Sequence, residues 1–187
     1  MGIRPMERRE AREVARLRVR MLEELGEMGG DDPRTLVQVT EAYLNRRLGS
    51  GGHFTSVAEE QGRLVGIASL EIFERLPYPG NLSGREGYLL NVYVESDFRR
   101  RGLAGALVRD LVGVARREGV GRLWPHASAG GRGVYEAAGF EARMLEEMEL
   151  LLAGENGPSE HARRIGELLR RESESSTRSA TPRKAST

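Results

Sequence analysis

Apolar residues recur at helical spacing through Val14, Leu17, Met21, Leu22 and Leu25, in a segment otherwise dominated by Arg and Glu. The spacing predicts an amphipathic first helix reaching about residue 27, preceded by a short edge strand at Ile3-Arg4-Pro5 and broken at Gly29-Gly30. Leu36, Val37, Tyr43, Leu44 and Leu48 mark a second helix, capped by Asp32 with Pro33 at its first position and ended by the glycines of 49–52. The period then shortens. Residues 53–59 and 63–73 are rich in β-branched and apolar side chains around Gln61-Gly62, the pattern of an antiparallel hairpin. Residues 74–86 contain two prolines and two glycines without a sustained period, and predict a long loop of the kind that borders a binding site.

Beyond the loop, an apolar strand at 88–94 is followed by a turn at 96–101 and a helix at 103–118, with Leu103, Leu107, Leu111 and Val114 on one face. A strand at 122–126, a short helix at 131–138 ended by Gly139, and a closing strand at 144–152 complete the pattern. The order β-α-α-β-β-β-α-β-α-β predicts an α/β fold with a mixed sheet.

The length of 187 residues suits one domain, placed at 1–153, plus a tail at 154–187. In the tail, Ser159 is positioned to cap a helix over 159–172 carrying Ala162, Ile165, Leu168 and Leu169. Residues 173–187 are Ser/Thr-rich, basic and expected to be disordered. Charge narrows the partners: 29 basic and 28 acidic residues nearly cancel, which argues against a nucleic-acid binder. The apolar runs are too short for a membrane span, and the start of the chain lacks the apolar stretch of a secretory signal, so the expectation is a cytoplasmic protein with no membrane partner. With no cysteine, disulfides, thiolate metal sites and a cysteine nucleophile are excluded, and no metal site is expected.

The chemistry concentrates in Asn91-Val92-Tyr93-Val94-Glu95-Ser96-Asp97-Phe98-Arg99-Arg100-Arg101-Gly102-Leu103-Ala104-Gly105. Small residues at the start of a helix let backbone N–H groups approach a ligand closely, and the positive helix end attracts phosphate. The segment lacks the Lys-Ser/Thr pair of a P-loop and the glycine spacing of a dinucleotide turn, which points away from nucleoside triphosphates and dinucleotides. A second element, Tyr135-Glu136-Ala137-Ala138-Gly139-Phe140, lies beyond the next strand, where a short helix brings Tyr135 towards the same cleft.

Together the Arg-Arg-Arg-Gly-Leu-Ala turn and the Tyr-Glu-Ala-Ala-Gly-Phe ending resemble the GNAT N-acetyltransferase family over roughly residues 3–151. The resemblance implies the GNAT fold, a mixed and mostly antiparallel central sheet flanked by helices, with acetyl-CoA as cofactor. It implies that Arg99, Arg100, Arg101, Gly102, Leu103, Ala104 and Gly105 surround the pyrophosphate, while Val92, Tyr93 and Val94 pair with the pantetheine arm. Ser128 stands where many members carry an Asn at the pantetheine end, and Tyr135 is placed as general acid for the departing thiolate. Tyr88 stands where many members carry a glutamate that relays the amine's proton. This leaves Glu86 as the first candidate base, with Glu71 and His126 on the substrate side, or ordered water alone, as alternatives. Asn91 either satisfies a backbone group at a bulge or contacts substrate. The implied activity is acetyl transfer to a primary amine of a small molecule or peptide by direct attack on the thioester. A non-catalytic acyl-CoA-binding sensor is the alternative, and association into a homodimer is left open.

Overall fold

Five strands pair in chain order to form the sheet: β1 (Gly2–Pro5), β2 (His53–Glu60), β3 (Arg63–Glu74), β4 (Arg85–Val94) and β5 (Arg122–Pro125). The first three pairings are antiparallel and only β4 with β5 is parallel, the helix α3 (Leu103–Arg117) making the crossover. Helices α1 (Ala11–Leu25) and α2 (Pro33–Arg47) lie between β1 and β2, and the short α4 (Arg132–Glu136) follows β5. The computed structural model describes residues 2–128 and 130–142, all within one compact unit. The predicted closing strand at 144–152, the helix at 159–172 and the tail at 173–187 lie outside the described residues.

Local chemistry accounts for the element ends. Gly26 stops α1 in the left-handed conformation, φ 72°. The Asp32 carboxylate accepts the Thr35 N–H at 2.9 Å, with Pro33 supplying a first helical residue that has no N–H to lose. Gln61 and Gly62 both take positive φ, 51° and 77°, the two-residue turn whose twist suits the β2–β3 hairpin.

The sheet is covered on both faces, so the central strand β3 reads as a nearly continuous apolar run. On one face Ala68, Leu70 and Leu89 pack against Leu103, Leu107 and Leu111 of α3. On the other, Val57, Ile67 and Tyr93 meet Val14 and Leu17 of α1 and Leu44 of α2. Leu17, Ile67, Leu70, Leu107 and Leu111 are fully buried, and truncating any of them to Ala costs about 2–5 kcal/mol.

One boundary differs from the sequence expectation. The segment predicted as a loop over 74–86 is shorter, because β4 starts at Arg85 and places Glu86 opposite Phe73. Arg85, Glu86 and Gly87 have no strand propensity to announce them; tertiary pairing overrides local preference here. The remaining loop is tied down from within. Arg75 N–H donates to the Gly84 carbonyl at 2.8 Å, and buried Asn81 donates to the Arg85 carbonyl at 3.0 Å. Gly84, at φ 67°, approaches Arg75 so closely that a Cβ would sit 2.2 Å from its carbonyl oxygen. Among the described residues, no helix is long and apolar enough to cross a membrane.

Candidate functional site

A cavity of about 880 Å³ opens where β4 and β5 part, walled by α1, the second half of β4, the start of α3, and the 126–135 segment. The parallel pairing ends at Leu89 with Pro125, so residues 90–94 of β4 have no strand beside them on that edge among the described residues. The register against β3 also slips between Ile67 and Ser69, and Asn91 takes φ 54°, the signature of a bulge that bends the strand. The outcome is a short stretch of strand edge, with its backbone polar groups, facing a cavity.

At its end β4 runs into the turn of three arginines. Arg100 and Gly102 adopt positive φ, 61° and 78°, and α3 begins at Leu103 without a side-chain cap. The first helical N–H to find a helical carbonyl is that of Ala106, bonded to Gly102 at 3.0 Å. The N–H groups of Leu103, Ala104 and Gly105 therefore precede the helical ladder, at the positive end of the helix dipole, and all three residues line the cavity.

The arginines divide their work. Arg99 donates from Nε to the Val94 carbonyl at 2.8 Å, pairs with Glu24 of α1, and lies 5.6 Å from the Tyr93 ring centre. Tyr93 in turn donates to Glu24 at 2.6 Å; that bond holds Glu24 below the usual carboxylate pKa, while burial and the same bond push Tyr93 up to about 12. Arg101 bonds the Asp97 carbonyl at 2.9 Å, pairs with Glu60 at 3.5 Å, and does not line the cavity. Arg100 does line it and has no ion pair among the described residues.

Tyr135 closes the far wall, 8% exposed, its ring edge-on to Phe140 at 5.7 Å. Burial, and then the nearness of Tyr88, raise its pKa, so its hydroxyl stays protonated at neutral pH. Ser128 also lines the cavity, and its carbonyl accepts the N–H groups of Gly131 and Arg132 at 2.9 and 3.2 Å, starting the turn that presents Tyr135. Tyr88 and His126 share a hydrogen bond of 2.7 Å on the cavity wall, with the Trp124 ring 4.7 Å from that of Tyr88.

The two glutamates singled out from the sequence are not on this wall. Glu86 is fully buried and receives Tyr78 at 2.6 Å, Trp124 Nε1 at 3.2 Å and Arg75 at 3.3 Å, with Arg122 at 3.7 Å. Burial alone would raise its pKa, but these hydrogen bonds outweigh it and hold the carboxyl below its usual range. Glu71 accepts from Tyr43 and from Arg47 at 3.2 Å and meets His53 Nδ1 at 2.7 Å, the ring continuing to Thr55 at 2.9 Å. Both carboxylates brace the far half of the sheet. The structure thus brings together Asn91, Val92, Tyr93, Val94, Arg99, Arg100, Gly102, Leu103, Ala104, Gly105, His126, Ser128 and Tyr135, and leaves Arg101, Glu71 and Glu86 outside.

Sequence reasoning missed two contributors. Tyr88 was read only as the absence of a glutamate, yet it is the partner of His126. Arg18, Met21 and Leu25, at positions i, i+3 and i+7 of α1, form a stripe that faces the cavity. The spacing was legible, but an Arg at its head reads as surface.

The pattern described as Acetyltransferase (GNAT) family matches residues 18–140. Among solved structures, an acetyltransferase from Clostridium acetobutylicum, determined with acetyl-CoA, is similar at 26% identity and a TM-score of 0.70, over 81% of this chain and 96% of that one. A GCN5-related N-acetyltransferase from Ralstonia eutropha JMP134 is similar at 29% identity and a TM-score of 0.67, over 82% and 99%. No curated protein matches the sequence.

Proposed function

The chain belongs to the acetyltransferase (GNAT) family, and from that premise we propose that it moves the acetyl group of acetyl-CoA directly onto a primary amine of a small molecule or peptide. The cofactor of the family is acetyl-CoA, and the residues present suit it. Three cavity-lining N–H groups at the start of α3, joined by Arg100, offer converging donors to a pyrophosphate. The open edge of β4 over residues 90–94 offers strand-type partners to the amides of a pantetheine arm. That juxtaposition of a phosphate cradle with an open strand edge is the observation that carries the proposal.

Bound acetyl-CoA supplies an activated thioester carbonyl. The work left to the protein is to hold the amine against it, to take a proton from the amine, and to give one to the departing thiolate as the C–N bond forms and the C–S bond breaks. Tyr135, buried and protonated on the wall, is the donor. With Glu86 and Glu71 committed elsewhere, His126 bonded to Tyr88 is the wall group suited to receive the amine proton. This acid–base equipment favours turnover over a purely sensing role. The test follows thiol release from acetyl-CoA against a panel of amines, with the product identified by mass. Since the chain has no cysteine, every free thiol reports CoA. Binding of acetyl-CoA without thiol release for any amine would replace the enzyme reading with that of a sensor.

A further inference from the structure

On the α1 wall of the cavity, Arg18 is a partly buried cation that the fold leaves without a partner among the described residues. Three arginines on and beside α1 are matched: Arg16 with Glu13 at 3.1 Å, Arg20 with Glu95, and Arg99 with Glu24. Arg18 lines the cavity, is partly buried, and has neither an ion pair nor a hydrogen bond among the described residues. Two carboxylates that tie α1 to the rest of the fold are already taken, Glu24 by Tyr93 and Arg99, and Glu95 by Arg20 and Arg63. Burial alone acts on its pKa, lowering it, with no opposing charge to restore it. A guanidinium stays protonated in a protein regardless, so the fold carries a partly desolvated cation without a counter-charge.

An unmatched cation facing a ligand cavity is completed by an anion on the ligand. Two anionic sources are conceivable there, the phosphates of the cofactor and a group on the acceptor, and position separates them. Arg18 precedes Glu24 by six residues, about 9 Å along the helix axis, and Glu24 is the residue that ties α1 to the turn of arginines. The backbone of Arg18 is therefore offset from the helix end proposed to hold phosphate, and its side chain shares its wall with Met21 and its cavity with Tyr88 and His126. We propose that Arg18 binds an anionic group of the acceptor, so that the enzyme's substrates are amines that also carry a carboxylate or a phosphate ester. The inference rests on the acetyltransferase reading above and names the substrate class within it. The planar fork of a guanidinium matches either oxyanion in a bidentate manner.

The experiment uses matched pairs of amines: amino acids against their amides, and phosphate-bearing amines against the corresponding alcohols. The parent protein is compared with Arg18→Met and Arg18→Lys. The expected result is that the anionic member of at least one pair has the higher kcat/KM. Arg18→Met should raise its KM about 10- to 100-fold, the worth of a charged hydrogen-bonded pair, and Arg18→Lys should fall between. The dissociation constant of acetyl-CoA should stay unchanged, and which pair responds tells carboxylate from phosphate. Weakened acetyl-CoA binding in Arg18→Met would assign the guanidinium to the cofactor and overturn the proposal, as would equal use of anionic and neutral amines by the parent. Calorimetric binding of the anionic amine to the protein saturated with acetyl-CoA runs beside the kinetics. Binding lost in Arg18→Met upholds the site even if no thiol is released, an outcome that would count against the acetyltransferase reading alone; absence of binding to the parent overturns it.

Discussion

Tyr88 and His126 are hydrogen bonded at 2.7 Å across the β4–β5 seam, beside the point where the two strands part. The pair sits on the cavity wall with Tyr135, and Tyr88 lies near enough to Tyr135 to raise its pKa. The bond helps orient the imidazole, so in the proposed mechanism Tyr88 would position His126.

His126→Gln should therefore lower kcat by about 10²-fold, the low end of general acid–base catalysis, with acetyl-CoA affinity retained. Tyr88→Phe should lower it less, and the double variant should be no slower than His126→Gln, because the two act as one unit. Steady-state kinetics on the three variants check this. Additive losses would mean that the residues work separately.

Glu86 gives the opposite prediction, since it is fully buried under two arginines, a tyrosine and a tryptophan and does not line the cavity. Glu86→Gln should cost about 1–3 kcal/mol of stability by weakening the hydrogen bonds that the buried carboxylate accepts from Tyr78 and Trp124, while Arg75 and Arg122 reach solvent, with kcat of the folded protein within about twofold of the parent, far from the loss that follows removal of a catalytic base. The pH dependence follows from the direction of its pKa, held below the ordinary value. The stabilisation is fully present above the unfolded carboxyl's pKa of about 4.3 and is lost as pH falls through the lower, folded value. Melting curves below pH 5 should accordingly flatten in the variant. A collapse of kcat with melting temperature preserved would restore Glu86 to the chemistry.

Among the three arginines of the turn, Arg100 alone should matter to the cofactor directly. Arg100→Ala should weaken acetyl-CoA binding about tenfold, as expected for one charge-assisted hydrogen bond. Arg101→Ala should leave it nearly unchanged, because Arg101 is engaged with Asp97, Glu60 and the Phe98 ring. Titrations by calorimetry distinguish the two. Equal losses would show that the turn works through net charge instead of geometry.

Most of the fold was legible because its signals are local and periodic. The i, i+4, i+8 spacing of Leu103, Leu107 and Leu111, the Asp32-Pro33 start and the Gln61-Gly62 turn each act within a few residues, and the structure has the helices and hairpin they predict. The strand, turn and helix over 85–117 were legible for the same reason, being one continuous segment. The role of Glu86 was not. Whether a carboxylate is a base or a brace depends on Tyr78, Arg75, Arg122 and Trp124, which converge on it from two separate stretches of chain. Arg18 was hidden in the same way, for its lack of a partner becomes visible only once Glu24 and Glu95 are seen to be taken.

Acetyl transfer in this cavity with Tyr135 as the proton donor is put to measurement most directly by Tyr135→Phe. The substitution keeps the ring against Phe140 and removes only the hydroxyl. Thiol release from acetyl-CoA by the parent should require an amine, and the Phe variant should be slower in kcat by about 10²-fold with acetyl-CoA affinity unchanged. Thiol release within about threefold of the parent, well short of the loss general-acid catalysis entails, would contradict it and leave Tyr135 as a packing residue.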